Sequence, residues 1–431
     1  MKDFHFGRDS GASGKVLVVA NPLAGRVSLD NGMGDSEHPL LSELCEMLNR
    51  GGTEVSIVEE ATAEGMASAV ELHVSRSVES KNAYDAVVVV GGDGTVSVVA
   101  GVLARIGAPS SPGSSAVVNT PPDYPTGAGA HPDYPTVAGT PTGSPTSPTS
   151  PTSPISPISP ISPISPISPI SPSSPTSPNS STGSSIPPLL VIPGGTGNSF
   201  YKAVWGDMEW KDVVSRLLNE GINGVGDELA SGAKTASGTQ VGDEGINGVG
   251  VRYIDLGWIE ELNTTFILGA SAGIFRDILM EATYMTSIPG RERYQQAAME
   301  VLNTVELFEA EIRVDGSVLA AGRFVLVAVG GARYRGGILP ILPLSELSDG
   351  LLDVCAVSAQ RRDDAMSALL QVVGGEHIGQ PGIFYSKGST VEIFSEKVLP
   401  LEYDGEICSQ ELYDCHLKIL QGVLPVISVP I

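Results

Sequence analysis

Ala86-Val87-Val88-Val89-Val90-Gly91-Gly92-Asp93-Gly94-Thr95 is a run of β-forming residues that ends in a glycine turn. An unbroken apolar run of this length predicts a strand covered on both faces. Residues 96–106 then change to helical spacing. A chain that leaves a strand through such a turn and restarts as a helix has several backbone N–H groups at the helix mouth with no carbonyl partner. Those donors, with the positive end of the helix dipole, suit a phosphate. Pro193-Gly194-Gly195-Thr196-Gly197-Asn198 repeats the arrangement after the apolar run 189–192. One glycine turn is an ordinary strand end. Two of them, each carrying a Thr, with an Asp able to meet a metal or a hydroxyl, point to nucleotide binding.

Outward from this turn, the first hundred residues alternate between strand and helix periods. Strands are expected at 15–20, 54–58 and 86–90, and helices at 40–48, 66–74 and 96–106. Leu40, Leu41, Leu44 and Leu48 share one helical face, and Gly51-Gly52 ends it. Strand and helix in short steps predict a parallel sheet with helices on both faces, whose ligands sit at the carboxyl ends of the strands. Asn21, Asp93 and Gly194 fall there.

Between 108 and 185 the periodicity disappears into Ser-Pro-Ile and Ser-Pro-Thr triplets. Proline at every third position removes backbone donors and favours polyproline II. The composition predicts a disordered insertion within one domain, because closing a long loop costs only a logarithmic penalty. Its Ser-Pro steps fit the target pattern of proline-directed kinases, and a passive spacer is the alternative. A second insertion, 221–250, contains a duplicated Glu-Gly-Ile-Asn-Gly-Val-Gly. The expected organisation is therefore a nucleotide-binding α/β domain over 14–107 and 186–220, with a β-rich domain over 251–431. In the latter, strands are expected at 253–259, 265–270, 324–329, 351–357, 390–394 and 415–420. Helices are expected at 278–305, broken at Pro289-Gly290, and at 363–373.

The 431 residues carry a net charge of −24 and are 41% hydrophobic. That charge argues against nucleic acid as a partner. No apolar run reaches the roughly 18 residues of a spanning helix. The first residues lack a signal-peptide profile, so a cytoplasmic location is expected, with transient peripheral contact at a membrane. Cys45, Cys355, Cys408 and Cys415 have no metal-ligand spacing and read as reduced, buried thiols. Ser–His hydrolase and zinc hydrolase patterns do not occur.

The two glycine turns resemble the nucleotide loops of the diacylglycerol kinase catalytic family, which includes sphingosine and ceramide kinases. Asn21-Pro22-Leu23-Ala24-Gly25, Ser348-Asp349-Gly350-Leu351-Leu352-Asp353 and Tyr403-Asp404-Gly405-Glu406 are further matches. The resemblance implies an α/β N-terminal lobe with a parallel, Rossmann-like sheet, a β-sandwich-rich C-terminal lobe, and the active site between them. It implies ATP and Mg2+ as cofactors and a membrane lipid as substrate.

Phosphoryl transfer needs a polyphosphate cradle, charge neutralisation and a base beside the acceptor hydroxyl. The candidate nucleotide contacts are Asn21, Thr62, Gly91, Gly92, Gly94, Thr95, Gly195, Thr196, Gly197 and Asn198, with Thr62 readable equally as a helix N-cap. Asp93 is expected to orient magnesium–ATP or the acceptor. In an extended segment Asp404 and Glu406 would point to one face, where paired carboxylates raise one pKa; the plain alternative is an Asp-Gly turn. By resemblance Glu406 accepts the proton, with Asp404 beside it. The resemblance also implies a structural magnesium on Asp349 and the main-chain carbonyls of Glu346 and Leu351, although Ser-Asp-Gly is also an ordinary turn. Two departures stand out: Val98 occupies a position that is commonly Glu in the family, and Ser199 one that is often Asp. The expected function is ATP-dependent phosphorylation of a lipid hydroxyl (diacylglycerol, sphingoid base or ceramide). The alternatives are an NAD kinase-like enzyme and an inactive lipid- or nucleotide-binding regulator.

Overall fold

The computed structural model describes residues 14–24, 39–80, 82–107, 186–220, 249–288 and 290–429. Gly25, the Ser/Pro insertion and the duplicated segment up to residue 248 lie outside the described residues.

The first lobe follows the expected alternation: β1 (Lys15–Ala20), α1 (Pro39–Arg50), β2 (Glu54–Glu59), α2 (Ala63–Glu79), β3 (Ala86–Gly91), α3 (Asp93–Gly107) and β4 (Leu189–Pro193). The short α4 (Ser199–Trp205) and α5 (Trp210–Glu220) follow. The four strands pair in parallel in the order β2-β1-β3-β4. Every residue of β3 is buried, as its uniform Val run demands. α1 turns Leu41, Leu44 and Leu48 into the core. Each fully buried aliphatic side chain contributes about 1.5–3 kcal/mol.

The second lobe is β-rich: β5 (Gly250–Ile259), β6 (Thr264–Phe266), β7 (Gly269–Gly273), α6 (Ile274–Tyr284), α7 (Gly290–Thr304), β8 (Phe308–Val314) and β9 (Ser317–Gly330). It continues with β10 (Leu352–Ser358), α8 (Arg362–Gly374), β11 (Ile383–Gly388), β12 (Thr390–Phe394), β13 (Leu401–Tyr403), β14 (Glu406–Ile407) and β15 (Asp414–Ser428). Its strand pairings are antiparallel, and a core including Ile259, Phe266, Ile312, Phe324 and Leu352 lies against the sheet. β15 joins the lobes: it pairs along β5 and β12, bulges between Leu420 and Leu424, then meets β4 in parallel at Val426↔Leu189.

The strand expected at 265–270 is two strands, β6 and β7. The break has a cause: the amides of Ile267, Leu268 and Gly269 turn away from the ladder to the Asp404 carboxylate. The segment around Asp404 and Glu406 is not extended either. Tyr403 faces Glu406 across a two-residue loop, and Asp404 and Gly405 both have positive φ, 49° and 89°. This is the Asp-Gly hairpin turn, which requires left-handed conformations at both central positions.

Candidate active site

The two glycine turns lie back to back at the carboxyl ends of β3 and β4. The Gly194 amide donates to the Gly91 carbonyl at 2.9 Å. A Cβ on Gly195 would lie 2.2 Å from the Gly92 Cα. These glycines are therefore needed first for loop to meet loop. Asn198, left-handed at φ 52°, folds its side chain back: Oδ1 accepts from the Gly195 amide and Nδ2 donates to the Gly195 carbonyl. Thr95 is buried beneath Gly91.

Asp93 opens α3 and is already employed. Its carboxylate accepts from the Ser199 and Phe200 amides at 2.9 and 3.0 Å, which caps α4 from outside the helix. Burial raises its pKa against those bonds, and the nearby Asp404 charge adds to the rise. Asp93 thus ties the two loops together, with one amide on each of its carboxylate oxygens.

The carboxylates of the hairpin divide sharply. Asp404, 4% exposed, accepts from the amides of Ile267, Leu268 and Gly269 and from the Ser97 hydroxyl, at 2.6–3.0 Å. Glu402 is buried beneath the turn. It accepts from the Ser271 hydroxyl at 2.5 Å and the Gly405 amide at 3.0 Å, with Arg335 Nη2 at 3.9 Å. The Glu406 carboxylate has no hydrogen-bond partner among the described residues. Beyond its own helix and chain neighbours, its Oε1 is the one atom of the described residues within 4 Å of where a Cβ of Gly94 would sit, at 3.7 Å. It therefore hangs over the first turn of α3. Surrounding protein raises its pKa, with the Asp404 and Glu402 charges adding to the effect. That is the direction that strengthens a base.

Sequence reasoning missed several members of this site. The Gly336-Gly337 turn packs on Gly197 of the second glycine loop, and the Gly337 amide donates to Ser199 Oγ at 2.8 Å, while Arg335 lies against Gly269 and Glu402. Arg335 keeps Nε and Nη2 buried without hydrogen-bond partners. Arg291 Nη2 reaches the Thr196 carbonyl at 3.5 Å. No local pattern marks these residues, because each acts across a long sequence separation. Ser199 is fully buried and bonds Gly337 instead of carrying a carboxylate toward the site. Val98 packs against the core of the first lobe.

The remaining expected contacts are placed as follows. Asn21 sits at the end of β1 with its Oδ1 accepting from the Leu23 amide at 2.8 Å. Thr62 is the N-cap of α2, its hydroxyl accepting from the Gly65 amide at 3.1 Å. Gly197 lies against Asp93, a Cβ there falling 3.1 Å from Asp93 Oδ2. Glu346, Asp349 and Leu351 form a separate cluster. Asp349 Oδ2 accepts from Lys387 Nζ at 2.9 Å, and its Oδ1 from the Leu351 amide at 3.1 Å. The expected magnesium does not fit this donor set, since an ammonium already stands on the carboxylate.

A parallel sheet with a glycine mouth, and a β-rich lobe presenting a carboxylate to it, defines a two-lobed nucleotide-binding enzyme class. The diacylglycerol kinase catalytic domain matches residues 15–143, and the YegS C-terminal NAD kinase beta sandwich-like domain matches 270–427. The chain thus carries a diacylglycerol kinase catalytic domain and a YegS-type C-terminal domain over these residues. It is 27% identical over 225 residues to a diacylglycerol kinase of Bacillus subtilis (strain 168), covering 51% of this chain and 63% of that one. With a diacylglycerol kinase of Staphylococcus carnosus (strain TM300) it shares 27% identity over 162 residues, covering 36% and 51%. The chain thus spans less than two thirds of the length of these relatives. A solved structure from Bacillus anthracis str. Sterne, described as a candidate diacylglycerol kinase, superposes with TM-score 0.54 at 18% identity. That match covers 96% of this chain and 97% of that one, and shows the fold.

Proposed function

We propose that this protein transfers the γ-phosphate of ATP to the hydroxyl of a membrane lipid: diacylglycerol, a sphingoid base or ceramide. The observation that carries the reading is the contrast between Asp404, saturated by four donors, and Glu406, uncommitted above the mouth of α3. The first amides of α3 lack carbonyl partners and face the same space, which suits the phosphates of a nucleotide. An acceptor hydroxyl there gives its proton to the Glu406 carboxylate as its oxygen bonds to the γ-phosphorus. The bond from that phosphorus to the bridging oxygen breaks, and ADP leaves. A divalent ion, Mg2+ in this reading, supplies charge neutralisation when bound with ATP and draws most of its ligands from phosphate and water. Asp404 keeps the hairpin turn in place, and Asp93 keeps both loops closed.

The matched catalytic domain and the curated relatives support a kinase. Among the described residues no helix is long and apolar enough to cross a membrane, so lipid would be met at the surface. The test is purified protein with labelled ATP and magnesium, offered diacylglycerol, sphingosine and ceramide in mixed micelles, with NAD as a parallel acceptor. Label in one lipid product is expected. Label in NAD alone, or in no acceptor, contradicts the reading; the latter is the result expected if Val98 marks an inactive regulator.

A further inference from the structure

Residues 344–351 end the connection between β9 and β10. Four acidic groups crowd it: Glu346, Asp349, Asp353 on the strand that follows, and Asp255 of β5. Such a concentration in a chain of net charge −24 calls for local cations. Two are built in: Arg252, which donates to Ser348 Oγ, and Lys387, which stands on Asp349 itself. Lys387 lies opposite Asp353 in the register of β10 and β11. Its Nζ donates to the Leu344 carbonyl at 2.7 Å and to Asp349 Oδ2 at 2.9 Å, and stands 3.3 Å from Asp353 Oδ2. The last contact is an ion pair. Asp353 is fully buried and takes its other bond from the Tyr385 hydroxyl at 2.5 Å. The second oxygen of Asp349 accepts from the Leu351 amide at 3.1 Å.

The rest of the loop is also held by protein groups. The Gly350 amide donates to Asp255 at 2.7 Å, Gln421 Nε2 reaches the Gly350 carbonyl at 3.3 Å, and Arg252 donates to Ser348 Oγ. Magnesium takes about six oxygens at 2.0–2.1 Å in octahedral array and usually keeps several of them as waters, so a site here would need Asp349 as its one carboxylate. What Asp349 has instead is an ammonium at hydrogen-bond distance, tied to the same strand pair as its second carboxylate.

We infer that Lys387 is the resident cation on Asp349, standing where the family resemblance places a structural magnesium ion, so that the second lobe folds without divalent metal. Any metal requirement of the protein then belongs to the bound nucleotide alone. The inference does not depend on the kinase reading and is tested without turnover.

The experiment uses the full chain without nucleotide. Thermal melting is followed in EDTA and in millimolar magnesium chloride at matched ionic strength, and Mn2+ binding is counted by electron paramagnetic resonance. Wild type is expected to melt alike in both buffers and to show no Mn2+ site that Asp349→Asn removes. Lys387→Ala is expected to melt on the order of 5 °C lower in EDTA and to recover part of that loss in magnesium. Lys397→Ala, at an exposed lysine, should do neither. A magnesium-dependent rise in the wild-type melting temperature that Asp349→Asn abolishes overturns the inference. So does a Lys387→Ala protein that melts like wild type in EDTA. If Lys387→Ala does not fold, the wild-type titration with its Asp349→Asn control decides alone.

Discussion

Asp404 and Glu406 stand two positions apart and are treated in opposite ways. Asp404 has a left-handed backbone and four donors, so its carboxylate belongs to the architecture. Asp404→Asn replaces one acceptor oxygen by a donor facing donors. It should destabilise the protein by about 1–3 kcal/mol, read as a shift in urea midpoint at constant slope; an unshifted midpoint contradicts the structural role. The Glu406 carboxylate titrates without a hydrogen bond from the described residues, crowded by surrounding protein. Its folded pKa is raised by burial first, then by Asp404 and Glu402. A base works deprotonated, so turnover should fall as the pH drops through this raised value. The acidic limb of the rate profile is expected above the ordinary glutamate value of about 4.3. A limb at or below that value would remove Glu406 from the base role.

At the scale of elements, the glycines sort by what stands over them. Gly195 has the Gly92 backbone where a Cβ would go, and backbone does not step aside. Gly195→Ala should force the loops apart and cost about 1–3 kcal/mol. Beyond its own helix and chain neighbours, Gly94 has only the Glu406 carboxylate of the described residues within 4 Å of that position, at 3.7 Å. Gly94→Ala should keep the wild-type melting temperature while turnover drops, because the methyl enters the space between α3 and Glu406. Equal melting temperatures for the two variants would contradict this division. The β3 strand, the α3 mouth and both loops were legible in sequence because a Val run and a glycine turn are local signals. β7, Gly-Ala-Ser-Ala-Gly, was not: small residues carry no strand propensity, and the strand exists because β9 and β13 flank it. At Asp404-Gly405 the structure takes the alternative reading, the Asp-Gly turn. The period-two reading failed there because an Asp-Gly pair turns the chain. Lys387 and Arg335 were invisible, since their partners lie at sequence distances that no window spans.

At the scale of the molecule, the two lobes share their last strand. β15 completes the β-rich lobe and then runs beside β4, and the core of the first lobe takes in Ile254, Leu256, Leu424, Val426 and Ile427. The lobes are thereby fixed so that Glu406 of one overhangs the α3 mouth of the other. This arrangement, a base from the β-rich lobe set over a phosphate cradle of the α/β lobe, is the central claim. Turnover of Glu406→Gln against wild type tests it most directly, with saturating ATP, the accepted lipid, and melting curves recorded on the same samples. The account predicts a loss of about 10²–10⁴-fold in turnover at an unchanged melting temperature, because Glu406 holds no hydrogen bond that the fold would miss. Turnover within a few-fold of wild type would contradict it.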